Sequence, residues 1–165
     1  MFDTDIRRKA ELIDTTLTQR HQMIVTAESC TGGLIAGALT DVPGSSEAVH
    51  GGFVTYSNSA KSAMIGVPLD LIREHGAVSE PVARAMAEGA RRTAGVAISI
   101  AVTGIAGPGG GTEGKPVGLV HFACATDEGT VVRVERFGDV GRQQVREATI
   151  MVALDLVVEC LGVKA

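Results

Sequence analysis

An α/β fold is predicted by three features of the sequence. Amphipathic helical patterns alternate with short apolar runs from one end to the other. The run Ala97 to Val102 is apolar but for Ser99 and rich in β-branched residues, as expected of a central strand covered on both faces. Near the end, two strand-like stretches flank Asp127-Glu128-Gly129, a hairpin signal that adds an antiparallel part. With no internal repeat or linker, the expectation is a single-domain α/β/α sandwich over residues 1–165, a mixed sheet covered by helices.

The elements follow in order. Ile6, Ala10, Ile13 and Leu17 recur at helical spacing and predict an amphipathic helix from Asp5 to Gln19. A first strand is expected over Met23–Ala27 and a helix over Thr31–Thr40, stopped by the Pro43-Gly44 turn. Gly51–Ser57 reads as a strand, with Val54 and Tyr56 on one face and Phe53 and Thr55 on the other. Two short helices are expected over Ser59–Ile65 and Pro68–His75, the second opened by a proline whose missing N–H costs nothing in a first turn. Ser79-Glu80-Pro81 reads as a cap leading into a helix with Val82, Met86, Gly89 and Ala90 inward. After the 97–102 strand, the glycine-rich stretch Thr103–Gly111 must be a loop. Strands are then expected over Val117–Thr126 and Thr130–Phe137, and a last helix over Arg142–Leu161. That helix is apolar on most sides, which predicts deep packing or a subunit contact, and hence self-association into a homo-oligomer.

Composition narrows the function classes. Aromatic residues make up 3% of the chain, the net charge is −4 and there is no basic block, so a nucleic-acid partner is not expected. The three cysteines, Cys30, Cys124 and Cys160, are far apart and lack metal-ligand spacing, so no metal is expected. No signal-peptide core or long apolar run occurs, which predicts a cytoplasmic protein without a membrane partner.

Chemistry concentrates at three places where strands end. Ser29-Cys30-Thr31-Gly32-Gly33 lies between a strand and a helix, where a hydroxyl meets unpaired backbone N–H groups. Ser29 fits two roles there, a nucleophile or a plain N-cap. Lys61, just past the Tyr56-Ser57-Asn58 segment, fits a base for Ser29 if it is desolvated, or a solvated lysine if it is not. Tyr56 is placed to orient Lys61 or relay a proton. Cys30 is a competing nucleophile, because thiolates form readily at helix N-termini. None of the four histidines sits in a motif-like context, which disfavours a Ser-His-Asp triad. The loop beginning Thr103-Gly104 is neither a Walker loop nor a dinucleotide fingerprint, and a mobile connection is its plain alternative.

Four motifs in order carry a resemblance: Thr26-Ala27-Glu28-Ser29-Cys30-Thr31-Gly32-Gly33; Val54-Thr55-Tyr56-Ser57-Asn58 with Ala60-Lys61; His75-Gly76-Ala77-Val78-Ser79; and Val102-Thr103-Gly104-Ile105-Ala106-Gly107-Pro108. Together they resemble the CinA C-terminal domain family from about residue 6 to residue 161. The resemblance implies a nicotinamide-nucleotide amidohydrolase of pyridine-nucleotide salvage, converting nicotinamide mononucleotide to nicotinate mononucleotide and ammonia without a cofactor. It implies Ser29, Tyr56 and Lys61 as catalytic residues. Cys30, Thr31, Gly32, Gly33, Asn58, Thr103, Gly104 and Arg142 are candidates for substrate binding, with Arg142 and Arg146 suited to phosphate oxygens. Similar proteins commonly carry Asp after the Gly-Pro pair and Glu in Asn-Glu-Ala-Lys, where this chain has Gly109 and Ser59. Longer members also carry an N-terminal nucleotide-processing domain, and its activity is not expected of this chain. The alternative reading is a non-catalytic nucleotide-binding or competence-associated partner protein.

Overall fold

The computed structural model describes residues 1–164. Five strands form one sheet in the order β2-β1-β3-β4-β5: β1 (Ile24–Glu28), β2 (Val49–Val54), β3 (Ile98–Gly104), β4 (Leu119–Thr126) and β5 (Gly129–Arg136). β1 runs parallel to both β2 and β3, whereas β3–β4 and β4–β5 pair antiparallel. The mixed sheet follows from the connections. Long helical crossovers join the first three strands and a tight turn joins the last two.

Alternate side chains of the strands feed two cores. On one face, Ile24, Ile100, Val102 and Phe122 pack under α1 (Thr4–Gln19), α2 (Leu34–Thr40) and α6 (Arg142–Leu161). On the other, the smaller Ala27, Ala101, Ala123 and Ala125 lie beneath α3 (Asn58–Ile65), α4 (Leu69–His75) and α5 (Glu80–Ala94). β1 and β3 are buried on both faces, their polar Thr26, Glu28, Ser99 and Thr103 included. The apolar breadth of α6 is accommodated within the chain, between α1 on one side and β3 and β4 on the other. No helix among the described residues is long and apolar enough to cross a membrane.

Element boundaries differ from the expectations at informative points. The second helix begins at Leu34 rather than Thr31, because Gly32 and Gly33 take φ values of 59° and 102° and hold a turn open ahead of it. The second strand spans Val49–Val54 and stops where its pairing with β1 runs out at Glu28↔Val54, leaving Thr55–Ser57 to lead into α3. Ser79 does not cap α5 with its side chain; its hydroxyl turns back to the Gly76 carbonyl.

Crossovers leaving β1 and β2 run over opposite faces of the sheet, which opens a crevice beyond the carboxyl ends of β1, β2 and β3.

Candidate active site

Ser29 is the first residue past β1. Its amide donates to the Val102 carbonyl on β3 and its own carbonyl accepts from Gly32, so the turn is tied both to the sheet and to itself. Ser29 does not cap α2; the N-cap position belongs to Gly33, which has no side chain to offer. The capping is done by Glu28. Its fully buried carboxylate accepts from the Ile35 and Ala36 amides and from the hydroxyls of Thr31, at 2.6 Å, and Thr26. The positive end of α2 is thereby neutralised from within the protein, and the Ser29 hydroxyl is free for other work. Thr26 reaches Glu28 through space left by Gly52, its partner across β2, where a Cβ would collide with the Thr26 hydroxyl.

Lys61 reaches the same crevice from the first turns of α3, whose N-terminus is capped by the Ser57 hydroxyl accepting from the Ala60 amide. The side chain is 1% exposed, and its Nζ donates to Ser29 Oγ at 3.1 Å and to the Thr55 carbonyl at 2.8 Å. Burial pulls its pKa below the usual 10.5; the Cys30 thiol acts weakly in the opposite sense, and no carboxylate counters the burial. A lysine in this state carries a larger neutral fraction and can accept a proton from the serine it touches. Burial acts oppositely on Cys30, pushing its thiol up to about 12, so the competing nucleophile stays protonated near neutral pH.

The crevice is a cavity of about 220 Å³, lined by Ser29, Cys30 and Lys61 within and by Tyr56, Asn58 and Arg142 toward its mouth, with Thr103 and Gly104 completing one wall. Tyr56 is 60% exposed and is not among the hydrogen-bond partners of Lys61; its hydroxyl accepts from Arg142 Nη2 at 3.0 Å. The carbonyl of Thr55, one residue earlier, holds the lysine instead. Arg142 also donates to the Gly107 carbonyl, tying the glycine-rich loop to the mouth. Thr103 is buried with its hydroxyl on the Ala77 carbonyl, and the Thr31 hydroxyl is spent on Glu28, so neither presents a free hydroxyl hydrogen. Gly32 and Gly33 supply backbone at the turn. Arg146, expected beside Arg142 as a phosphate contact, instead donates Nε to the Cys30 carbonyl and Nη2 to the Thr31 carbonyl, each at 3.2 Å.

Sequence reasoning missed Glu28 as part of the site and gave Arg146 a phosphate role in place of its contacts with the Cys30 and Thr31 carbonyls. The signal for Glu28 was a charged residue closing an otherwise apolar strand immediately before a turn. Arg146 was marked by its place beside Arg142, but its approach to the turn is a product of tertiary packing. Among the described residues, no cluster of three or more His, Cys, Asp or Glu side chains is arranged to hold a metal ion.

Comparison with known proteins places this arrangement. The family model for the CinA C-terminal domain matches residues 6–161. A CinA-like protein of Parasynechococcus marenigrum is 52% identical over 147 residues, covering 88% of this chain and 35% of that protein. One from Anaeromyxobacter sp. (strain K) is 52% identical over 148 residues, 88% of this chain and 36% of the relative. The chain thus spans about a third of the length of these relatives. Among solved structures, competence/damage inducible protein CihA from Agrobacterium tumefaciens superposes with a TM-score of 0.95 at 48% identity, covering 98% of both chains. A competence-damaged protein (CinA) superfamily protein from Escherichia coli gives 0.90 at 34% identity, over 97% of this chain and 93% of the other. The chain belongs to the CinA C-terminal domain family.

Proposed function

We propose that this protein is a serine amidase that hydrolyses the carboxamide of nicotinamide mononucleotide, giving nicotinate mononucleotide and ammonia. The observation that carries the reading is the 3.1 Å contact between Ser29 Oγ and a lysine nitrogen that is 1% exposed. Such a pair has one evident use. The amine takes the hydroxyl proton as Ser29 Oγ bonds to the amide carbon, and the carbonyl electron pair moves onto oxygen. The Cys30 and Thr31 amides meet that oxyanion, since the Ser29 and Gly32 amides are spent on the Val102 and Ser29 carbonyls. Collapse of the tetrahedral adduct breaks the C–N bond, and Lys61 returns the proton to departing ammonia. Water, deprotonated by the same lysine, then cleaves the acyl-enzyme and frees Ser29.

The cavity supports a substrate that is small at its reacting end. At about 220 Å³ it lies below the usual range for whole ligands, so the pyridine carboxamide enters while ribose and phosphate stay at the mouth. There Arg142 keeps spare N–H donors for phosphate oxygens beyond its bonds to Tyr56 and Gly107. The Tyr56 hydroxyl and the Asn58 amide flank the same opening.

The test is release of ammonia and nicotinate mononucleotide by the purified protein. Ser29→Ala is expected to abolish turnover, by about 10⁴-fold or more, and Cys30→Ala to preserve it. Absence of ammonia from the wild-type protein, with the nucleotide nonetheless bound, would favour a nucleotide-binding partner protein instead.

A further inference from the structure

We infer that Arg146 is a positioning residue that presets the nucleophile turn for oxyanion binding, working against Glu28 on the turn's other side; the inference rests on the amidase reading above. Three consecutive peptide planes follow Ser29, and the carbonyl of each is held. The Ser29 carbonyl accepts from the Gly32 amide, and the carbonyls of Cys30 and Thr31 accept from the Arg146 guanidinium. In a trans peptide the N–H points opposite to its C=O, so fixing these carbonyls fixes the directions of the Cys30, Thr31 and Gly32 amides; the Gly32 amide is spent on the Ser29 carbonyl, which leaves those of Cys30 and Thr31 as the aimed donors. Ahead of the helix, Glu28 anchors Thr31, Ile35 and Ala36. The turn is therefore gripped by a cation at its carbonyls and by an anion that holds the Thr31 hydroxyl and the first amides of α2. Without the grip, Gly32 and Gly33 would leave the loop free to sample other conformations. Donors that are already aimed need no reorganisation when charge develops, and misplacement by about 1 Å can cost roughly 10²-fold in rate.

The geometry also separates this role from phosphate binding. Arg146 lies on α6 one turn beyond Arg142, and it spends Nε and Nη2 on protein carbonyls whereas Arg142 reaches the cavity mouth. A fork contacting two carbonyls at once is a task for guanidinium; the lysine ammonium is a point charge on a flexible stem.

Arg146→Met and Arg146→Lys are the variants to measure, by hydrogen exchange of the amides of residues 29–34 and by steady-state kinetics on nicotinamide mononucleotide. Arg146→Met is expected to accelerate exchange in that segment while the rest of the protein stays protected. It is expected to lower kcat by about 10²-fold with KM within twofold of wild type and the midpoint of the pH–rate profile unmoved. Arg146→Lys, the milder change should Arg146→Met fold poorly, is expected to lose less in both readouts. Unchanged kcat, or a raised KM with kcat preserved as a phosphate contact would give, overturns the proposal. Should the wild-type protein fail to turn over the nucleotide, the amidase reading falls separately. Exchange then decides alone: local loosening supports the grip and unchanged protection refutes it.

Discussion

Lys61 is the residue on which burial and function conflict most directly. An ammonium group taken out of water without a carboxylate partner costs stability, and the same cost makes the amine available as a base. Lys61→Met is accordingly expected to remove amidase activity while raising the melting temperature at pH 7. Because the folded-state pKa is depressed, the unfolded chain binds the extra proton, and wild-type stability rises with pH until about the ordinary value of 10.5. The advantage of the methionine variant should therefore shrink toward alkaline pH, which thermal melts across a pH series will report. Activity should rise with pH along a limb whose midpoint lies below 10.5. Ser29 and Lys61 were legible as candidates because hydroxyl and amine both follow strand ends. Their contact was not, since strand order decides it and one sequence does not display strand order.

At the scale of elements, the placement of α3 against α5 sets where Lys61 points. Gly89 on α5 lies against the carbonyl of Ile65, the last residue of α3, and the space a Cβ would need is already taken by that carbonyl. Gly89→Ala must push α3 outward. An expected loss of about 1–3 kcal/mol, read from chemical denaturation, should come with a fall in kcat as the lysine is drawn from Ser29. Periodicity marked Gly89 as inward but gave no hint that it is a contact point between two helices. The same contrast holds elsewhere. The last helix matched its expected bounds, Arg142–Leu161, because caps and apolar spacing are local. The second strand shifted by two residues at its start and three at its end, because its limits are set by pairing with β1.

Across the whole molecule, one buried charge stands apart from the chemistry. Asp14 on the inner side of α1 is 5% exposed, both carboxylate oxygens lack partners among the described residues, and burial raises its pKa from 3.8 to about 7. The unfolded chain loses this proton first as pH rises, so the stability linked to Asp14 is intact below pH 3.8 and is lost on the way to about pH 7. The corresponding free energy is at most about 4 kcal/mol. Asp14→Leu is expected to stabilise the protein by about 2–4 kcal/mol at pH 8 and by less at pH 5, measured by urea denaturation at both. Helical spacing made α1 and its apolar stripe of Ile6, Ala10, Ile13 and Leu17 plain; Asp14, next to Ile13, is buried with that stripe against α2 and α6.

The division of labour around the cavity bears on how such a protein changes over time. Ser29 and Lys61 come from a strand end and from α3, inside a cavity of about 220 Å³, whereas the mouth is built from Tyr56, the glycine-rich loop and the start of α6. On the proposed amidase reading, selection acting on the mouth can retune which molecules are admitted while the inner pair stays intact, so descendants of this fold are free to drift in diet without having to reinvent their teeth.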